Sequence, residues 1–164
     1  MQTKLISAAA LLLAATFSHA ADGKKAAASI PDNTPILMQA EVGSLDKRVE
    51  VAYVCDSQQG KRNVNAMYGI KDGETAVVQI KVGDQVTPGL WRVMNDTNGK
   101  KQNSYYGEGL TWITDKASPD TLTKANGKIL MQASKLDGGL PKGDQTILFK
   151  DCKVDSAATK KLNK

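Results

Sequence analysis

From residue 48 onward, apolar residues recur at every second position, with polar residues between them. Successive side chains of a β-strand point to opposite faces of a sheet, so this pattern predicts short strands with one buried face. Only residues 118–124 indicate a helical turn, and no stretch of ten or so residues has the apolar spacing of an amphipathic helix. The predicted strands are residues 48–55, 61–70, 74–82, 85–94, 104–107, 110–114, 128–133 and 145–152.

Turn-forming residues separate these strands. Asp72-Gly73 and Gly83-Asp84 predict tight turns, and Pro88-Gly89 predicts a break within the strand at residues 85–94. The Gly- and Pro-containing stretch at residues 135–144 is predicted to be a loop. About eight short strands spaced in this way predict an all-β fold, either a small antiparallel barrel or a sandwich.

The first 20 residues have the features of a secretory signal peptide. Lys4 gives a positive start, residues 5–17 are apolar, and Ser18 and Ala20 supply the small residues that signal peptidase accepts. The apolar run is shorter than the roughly 20 residues that cross a bilayer. We therefore predict cleavage after Ala20 and a soluble exported protein, located in the periplasm or at the outer-membrane surface.

The rest of the chain divides into three predicted parts. Residues 21–46 are rich in Ala, Lys, Pro and Asp and are predicted to be a flexible leader, within which residues 36–38 are apolar enough to dock on the domain. Residues 47–154 form the predicted domain, and residues 155–164 are a basic tail.

The chain has two cysteines, Cys55 and Cys152, which are 97 positions apart. A lone pair of cysteines in an exported protein normally forms a disulfide, and this spacing contains no CxxC redox motif. We expect a Cys55–Cys152 bridge that ties the first strand of the domain to its last.

Residue counts exclude several classes of function. The one histidine, His19, lies in the predicted signal peptide, so the exported protein is expected to lack His-dependent nucleophilic sites and His-ligated zinc. The formal net charge is +5, but the basic residues are spread along the chain, and its arginines are Arg48, Arg62 and Arg92. An Arg-rich stripe with interleaved aromatics is therefore missing, and we expect no nucleic-acid binding. From the histidine count we also expect no catalytic, cofactor or metal site.

Five short motifs stand out along the predicted domain: Tyr53-Val54-Cys55, Gln59-Gly60-Lys61, Val64 to Ile70, Tyr106-Gly107-Glu108-Gly109 and Ile147-Leu148-Phe149-Lys150-Asp151-Cys152. With these motifs the chain resembles the adhesin complex proteins of Gram-negative bacteria, which are similar to the bacterial inhibitors of c-type lysozyme. The resemblance covers about residues 48–153 and implies an eight-stranded barrel that is closed by one disulfide.

The resemblance implies inhibition of c-type lysozyme by loops that enter its catalytic cleft. In the inhibitor family the inserting groups are a serine in a Ser-Gly-x-x-Tyr loop and a lysine in a later Lys-Gly turn. The matching places in this chain hold Ser104, within Ser104-Tyr105-Tyr106-Gly107, and Lys116, which Ala117 follows. Because lysozymes of this type are basic and this chain is also net positive, association is expected to need a local acidic patch. The expected lysozyme-binding residues are Ser104, Tyr105, Lys116, Asp96, Glu108 and Asp115, with Asp120 beside them.

Other readings remain open. The resemblance also implies a surface adhesin that contacts host cells, and it suggests a homodimer that pairs through the strand at residues 85–94. A third reading is an oligosaccharide-binding barrel in which Trp91 or Trp112 stacks on a sugar ring. Since neighbouring residues of a strand face opposite ways, Tyr105 and Tyr106 are expected to be one core ring and one exposed ring.

Overall fold

The structure, a computed structural model, describes residues 38–40 and 42–164. The predicted signal peptide and most of the predicted leader lie outside the described residues. The described part contains nine strands, one 3₁₀ turn and one short helix. They are β1 (Lys47–Ser57), β2 (Gly60–Lys71), β3 (Glu74–Val82), β4 (Gln85–Val86), β5 (Leu90–Arg92), β6 (Gln102–Gly107), β7 (Leu110–Asp115), the 3₁₀ turn (Leu122–Lys124), β8 (Gly127–Asp137), β9 (Leu140–Val154) and α1 (Ser156–Leu162).

Eight of the strands close into an antiparallel barrel. Their order is β2-β1-β9-β8-β7-β6-β5-β3, and pairing between β2 and β3 closes the ring. The two-residue strand β4 pairs with β3 and lies outside the ring. The sequence left a barrel and a sandwich open, and the closed barrel implied by the resemblance is confirmed.

The alternation predicts the inward face of the first three strands correctly. Their inward residues are at most 7% exposed, and they are Val49, Val51, Tyr53, Cys55, Val64, Ala66, Tyr68, Ile70, Ala76, Val78 and Ile80. In the centre, the Trp112 indole donates to the Tyr68 hydroxyl at 3.0 Å, and that hydroxyl also pairs with Tyr53 at 3.0 Å. Burial raises the pKa of both tyrosines well above the ordinary value, so the network stays neutral and its polar atoms are paired inside the core.

The β8–β9 connection differs from its predicted form. The expected loop at residues 135–144 is wrong: the two strands continue into a hairpin and pair as far as Asp137 and Leu140. Gly138 and Gly139 form its turn with φ of 57° and 83°, the positive values that a two-residue hairpin turn requires. The glycines therefore mark a tight reversal of the chain, and the flanking residues remain in strands.

The connections gather at two opposite ends of the barrel. We call the end that carries residues 93–101 and 116–126 the loop end, and it also carries the β2–β3 turn. We call the other end the hairpin end, because the β1–β2, β3–β4, β6–β7 and β8–β9 turns all lie there. The strands of the barrel separate the two ends.

The first and last strands are joined covalently and through α1. The Cys55–Cys152 disulfide predicted from the sequence is confirmed, and both cysteines are fully buried. No helix had been predicted in the basic tail, yet α1 lies against β1, where the Thr159 hydroxyl accepts from the Ala52 amide at 3.0 Å. Within residues 38–40 and 42–164, no helix has the length and hydropathy of a membrane span.

Candidate functional site

The loop between β5 and β6 is organised around one carboxylate, Asp96. The Ser104 hydroxyl donates to Asp96 Oδ2 at 2.5 Å, and Gln102 Nε2 donates to the same oxygen at 3.2 Å. The other oxygen accepts from the Asn98 backbone amide at 2.7 Å. Three donors from the loop and from β6 therefore fix the position of this negative charge.

These donors also determine the protonation of Asp96. Burial acts to raise the pKa of this carboxyl, but hydrogen bonds from Ser104, the Asn98 amide and Gln102, together with the charge of Arg92, outweigh it. The pKa of Asp96 therefore lies below the ordinary value of 3.8. The loop end presents an ionised carboxylate whose orientation is set before any partner arrives.

Ser104, a predicted inserting group, is only 7% exposed. Because its hydroxyl is already bonded to Asp96, this side chain positions the acidic loop and does not project from the surface. The sequence could not place the two residues together, since the loop at residues 97–101 and the start of β6 separate them.

Tyr105 and Tyr106 are both buried, which corrects the expectation of one core ring and one exposed ring. Tyr105 is fully buried inside the barrel, where its hydroxyl donates to Thr75 at 2.9 Å and Arg92 lies over the ring at 5.5 Å. Tyr106 faces outward but is only 5% exposed, and its hydroxyl donates to the Gly139 carbonyl at 2.5 Å. The Tyr105 ring is therefore not available to a partner in this structure.

The β7–β8 loop brings the other predicted site residues to the same end. Asp115 lies opposite Gln102 in the β6–β7 register, and its carboxylate is 3.7 Å from the Lys128 ammonium. Lys116 and Asp120 are exposed. The backbone beside Lys116 is fixed, because the buried Asn103 side chain donates to the Ala117 carbonyl at 2.8 Å. Lys116 is therefore an exposed cation on an anchored stretch of backbone.

Glu108 does not join this group. It lies in the β6–β7 turn at the hairpin end, with the full length of β6 between it and the Asp96 loop. Its φ of 47° and that of Gly109 at 83° are the positive values of a two-residue hairpin turn. Asp96, Asp115 and Asp120 share the loop end, and Glu108 belongs to a different surface.

Two features of this end were missed by sequence reasoning. Arg92 follows Leu90 on the inward face of β5 and covers the Tyr105 ring at the loop end of the barrel. Gln102 donates a hydrogen bond to Asp96 and lies opposite Asp115 in the β6–β7 pairing. Only the pairing of the strands could have indicated these two residues, because Arg92 lies opposite Tyr105 and Gln102 lies opposite Asp115.

Of the two tryptophans considered for sugar stacking, Trp112 is fully buried and Trp91 is partly buried. Trp112 is fully buried and bonded to Tyr68, so the packing role is confirmed for this residue. Trp91 lies on the outward face of β5, registered with Tyr106, and is partly buried. A single partly covered ring does not favour the oligosaccharide reading.

The fold and the two ends define a class of protein: a disulfide-closed, eight-stranded antiparallel barrel that presents an anchored polar loop end. A family model described as the ACP-like domain, where ACP denotes adhesin complex protein, matches residues 49–154. The chain therefore belongs to this family, and the resemblance to the adhesin complex proteins is confirmed.

One solved structure that is similar to the chain is the adhesin complex protein from Neisseria meningitidis. The two are 23% identical, the match covers 65% of this chain and 99% of that chain, and the TM-score is 0.48. No curated protein matches this chain.

Proposed function

We propose that this chain is an exported binding protein of the adhesin-complex type that also inhibits c-type lysozyme. Its membership of the ACP-like family, over residues 49–154, supports an adhesin-type role at a host surface. Inhibition of lysozyme is the more specific part of the proposal and depends on the chemistry of the loop end.

The main support for lysozyme inhibition is that Lys116 is exposed and lies next to a backbone carbonyl that a hydrogen bond holds in place. Lysozyme cleaves its substrate with two carboxyl groups in an open cleft. An ammonium group that reaches those carboxyls forms charge-assisted hydrogen bonds, which are stronger than neutral ones. The Asn103–Ala117 bond limits the backbone freedom that Lys116 would lose on binding, and smaller ordering costs favour affinity.

The Asp96 loop has a different role in this proposal. Its ionised carboxylate offers a negative group to a basic enzyme, and complementary charge speeds association more than it slows dissociation. Ser104 contributes by orienting that carboxylate and not by entering the cleft. Asp115 and Asp120 add negative charge at the same end.

The test is a titration of c-type lysozyme activity on bacterial cell walls with protein purified from cells that express the full chain. Micromolar protein is expected to inhibit the enzyme, and Lys116→Ala is expected to weaken inhibition by at least about tenfold, as expected for loss of a desolvated charge pair. The matched control is Lys135→Ala, because Lys135 is an exposed lysine on the β8–β9 hairpin. Full lysozyme activity at micromolar protein would end the inhibitor proposal, and equal losses in both variants would remove Lys116 from the site.

The adhesin-type role has a separate test. Fluorescently labelled protein is expected to bind host epithelial cells saturably in the absence of lysozyme. Binding that does not saturate, or that an excess of unlabelled protein leaves unchanged, would contradict this role without bearing on inhibition.

Export and self-association complete the proposal. Mass spectrometry of exported material is expected to show a chain that begins at Ala21 and carries no lipid. For the proposed homodimer, β4 is the part of residues 85–94 whose outer edge has no partner strand among the described residues, because β5 is paired on both sides. Light scattering that gives only the monomer mass at high concentration would remove the dimer.

A further inference from the structure

A concave cavity opens at the hairpin end of the barrel, opposite the loop end. Its volume is about 910 Å³, which lies within the roughly 300–1,000 Å³ typical of small-molecule sites. Buried Ile80 and Leu130 belong to its floor. The walls come from the β1–β2 turn and the start of β2, from β3, β4 and the segment that precedes β5, and from β7, β8 and β9.

The apolar lining of this cavity is core that the barrel leaves uncovered. Val82, Leu110, Leu148 and Phe149 pack against the buried core but remain partly exposed, and all four line the cavity. At its rim, Val86 is 54% exposed and Ile147 is 44% exposed. This part of the core faces an open volume, and an apolar ligand that filled it would be removed from water.

A single charged residue, Arg62, belongs to the described lining. Arg62 continues the inward face of β2 beyond Val64 and lies opposite Cys55 in the β1–β2 register. Its Nη2 donates to Gln59 Oε1 at 2.6 Å at the rim. The other polar residues of the described lining are uncharged amides and hydroxyls, and no carboxylate is among them.

We infer that this cavity binds a small amphipathic anion, a molecule with one alkyl chain and one carboxylate head group. The alkyl chain would lie among Leu110, Leu148 and Phe149, and the carboxylate would meet Arg62. A guanidinium group matches a carboxylate in shape and charge and can donate two parallel hydrogen bonds to it. The charge of the lining favours an anion over a cation, because a cation would be repelled by Arg62 and would find no carboxylate among the described lining residues.

This site is independent of the proposed function. The loop end carries Asp96 and Lys116, and the cavity lies at the other end of the strands. Loss of lysozyme inhibition would leave ligand binding at the cavity unaffected, and the converse also holds.

The test is calorimetric titration of the purified protein with dodecanoate below its micelle concentration. Saturable binding with one site is expected. Affinity is expected to rise about fourfold for each methylene from octanoate to dodecanoate, as burial of alkyl groups requires. Dodecanol and dodecyltrimethylammonium, the neutral and cationic probes, are expected to bind at least about tenfold more weakly, since a hydrogen-bonded charge pair is lost.

Two matched variants locate the head group. Arg62→Gln is expected to weaken dodecanoate binding at least about tenfold while leaving dodecanol binding unchanged. The control is Arg48→Gln, since Arg48 is an exposed arginine on the outward face of β1 near the loop end. Both arginines lie at the surface, and near-ultraviolet circular dichroism checks that the two variants keep the native fold.

Amide chemical shifts show where the ligand lies. Dodecanoate is expected to move the signals of residues 57–62, 80–87 and 146–149, which surround the cavity. The inference is overturned by any of four results: no saturable binding, affinity that does not change with chain length, equal binding of the cationic probe, or shifts confined to the loop end.

Discussion

The hydroxyl of Ser104 is bonded to the Asp96 carboxylate, and this single contact changes the interpretation of both residues. The resemblance to the lysozyme inhibitors implied that Ser104 enters a cleft, whereas in the structure its hydroxyl donates to Asp96. Lys116 is exposed and remains the candidate for insertion. At the scale of residues, therefore, side-chain contacts separate the group that can reach a partner from the group that organises the loop.

Asp96→Asn tests whether this carboxylate stabilises the fold. The folded-state pKa lies below the ordinary value of 3.8, so the ionised form contributes stability above that pH, and the contribution is lost as pH falls through the folded-state pKa. The variant is expected to have a lower free energy of unfolding at pH 7. The difference from the unmodified protein should shrink as pH falls below 3.8.

Urea unfolding of the variant and the unmodified protein, at neutral pH and at about pH 2.5, measures the difference in their free energies of unfolding at each pH. The control is Asp144→Asn, which changes an exposed carboxylate on β9 at the hairpin end. A difference from the unmodified protein that grows on acidification would show that Asp96 does not stabilise the fold through its charge.

At the scale of elements, α1 completes a strand edge that β9 leaves open. The β1–β9 register runs from Tyr53 to Asp56, so within residues 38–40 and 42–164 the preceding residues of β1 have no partner strand on that side. Asn163 accepts from the Glu50 amide at 3.1 Å and donates to its carbonyl at 2.7 Å, while Thr159 accepts from Ala52. Thr159 of the helix and Asn163, which directly follows it, therefore continue the pairing of β1 with side-chain groups in place of a strand.

Thr159→Val tests this role of α1. Valine has nearly the same shape but leaves the buried Ala52 amide without its acceptor, so the free energy of unfolding is expected to fall by about 1–3 kcal/mol. Ser156→Ala, at an exposed position of the same helix, should have little effect. Equal midpoints of denaturant unfolding in the Thr159 variant and the unmodified protein would contradict the role of the helix.

The local sequence pattern predicted most of the strands. It failed where contacts between distant residues determine the structure. The two-residue alternation identified the inward faces of β1 to β3, and Pro88-Gly89 marked the break between β4 and β5. The seven residues of α1 are too few for a helical period, and their stability depends on the Asp155 cap and on contacts with β1. The hairpin at residues 135–144 was missed because turn residues were taken to indicate a loop over the whole stretch.

The candidate site was predicted in part for the same reason. The resemblance to the lysozyme inhibitors pointed to Ser104 and Lys116, and the expected acidic patch pointed to Asp115; all three share the loop end. It could not separate Glu108, because a strand of six residues carries that turn to the opposite end. The cavity around Arg62 combines residues from several strands and depends on closure of the barrel.

At the scale of the whole molecule, the disulfide joins the two ends of the domain's chain. Cys55 lies in β1 and Cys152 in β9, the first and last strands of the barrel. The bridge closes a loop with a sequence separation of 97 residues. A cross-link of this span limits the unfolded chain more than a short one does.

Replacing both cysteines by serine is expected to lower the free energy of unfolding by about 4 kcal/mol. The measurement is urea unfolding of the double variant beside the unmodified protein, with thiol titration of the native protein as its control. An unchanged midpoint, or two free thiols in the exported protein, would contradict a stabilising bridge.

The central claim is that the loop end binds c-type lysozyme, and hydrogen exchange of the complex measures this directly. Addition of lysozyme in excess is expected to slow amide exchange at residues 93–103 and 115–121. Exchange at residues 57–62 and 83–88, which lie at the hairpin end, should not change. Unchanged exchange at the loop end, or protection confined to the hairpin end, would contradict the account.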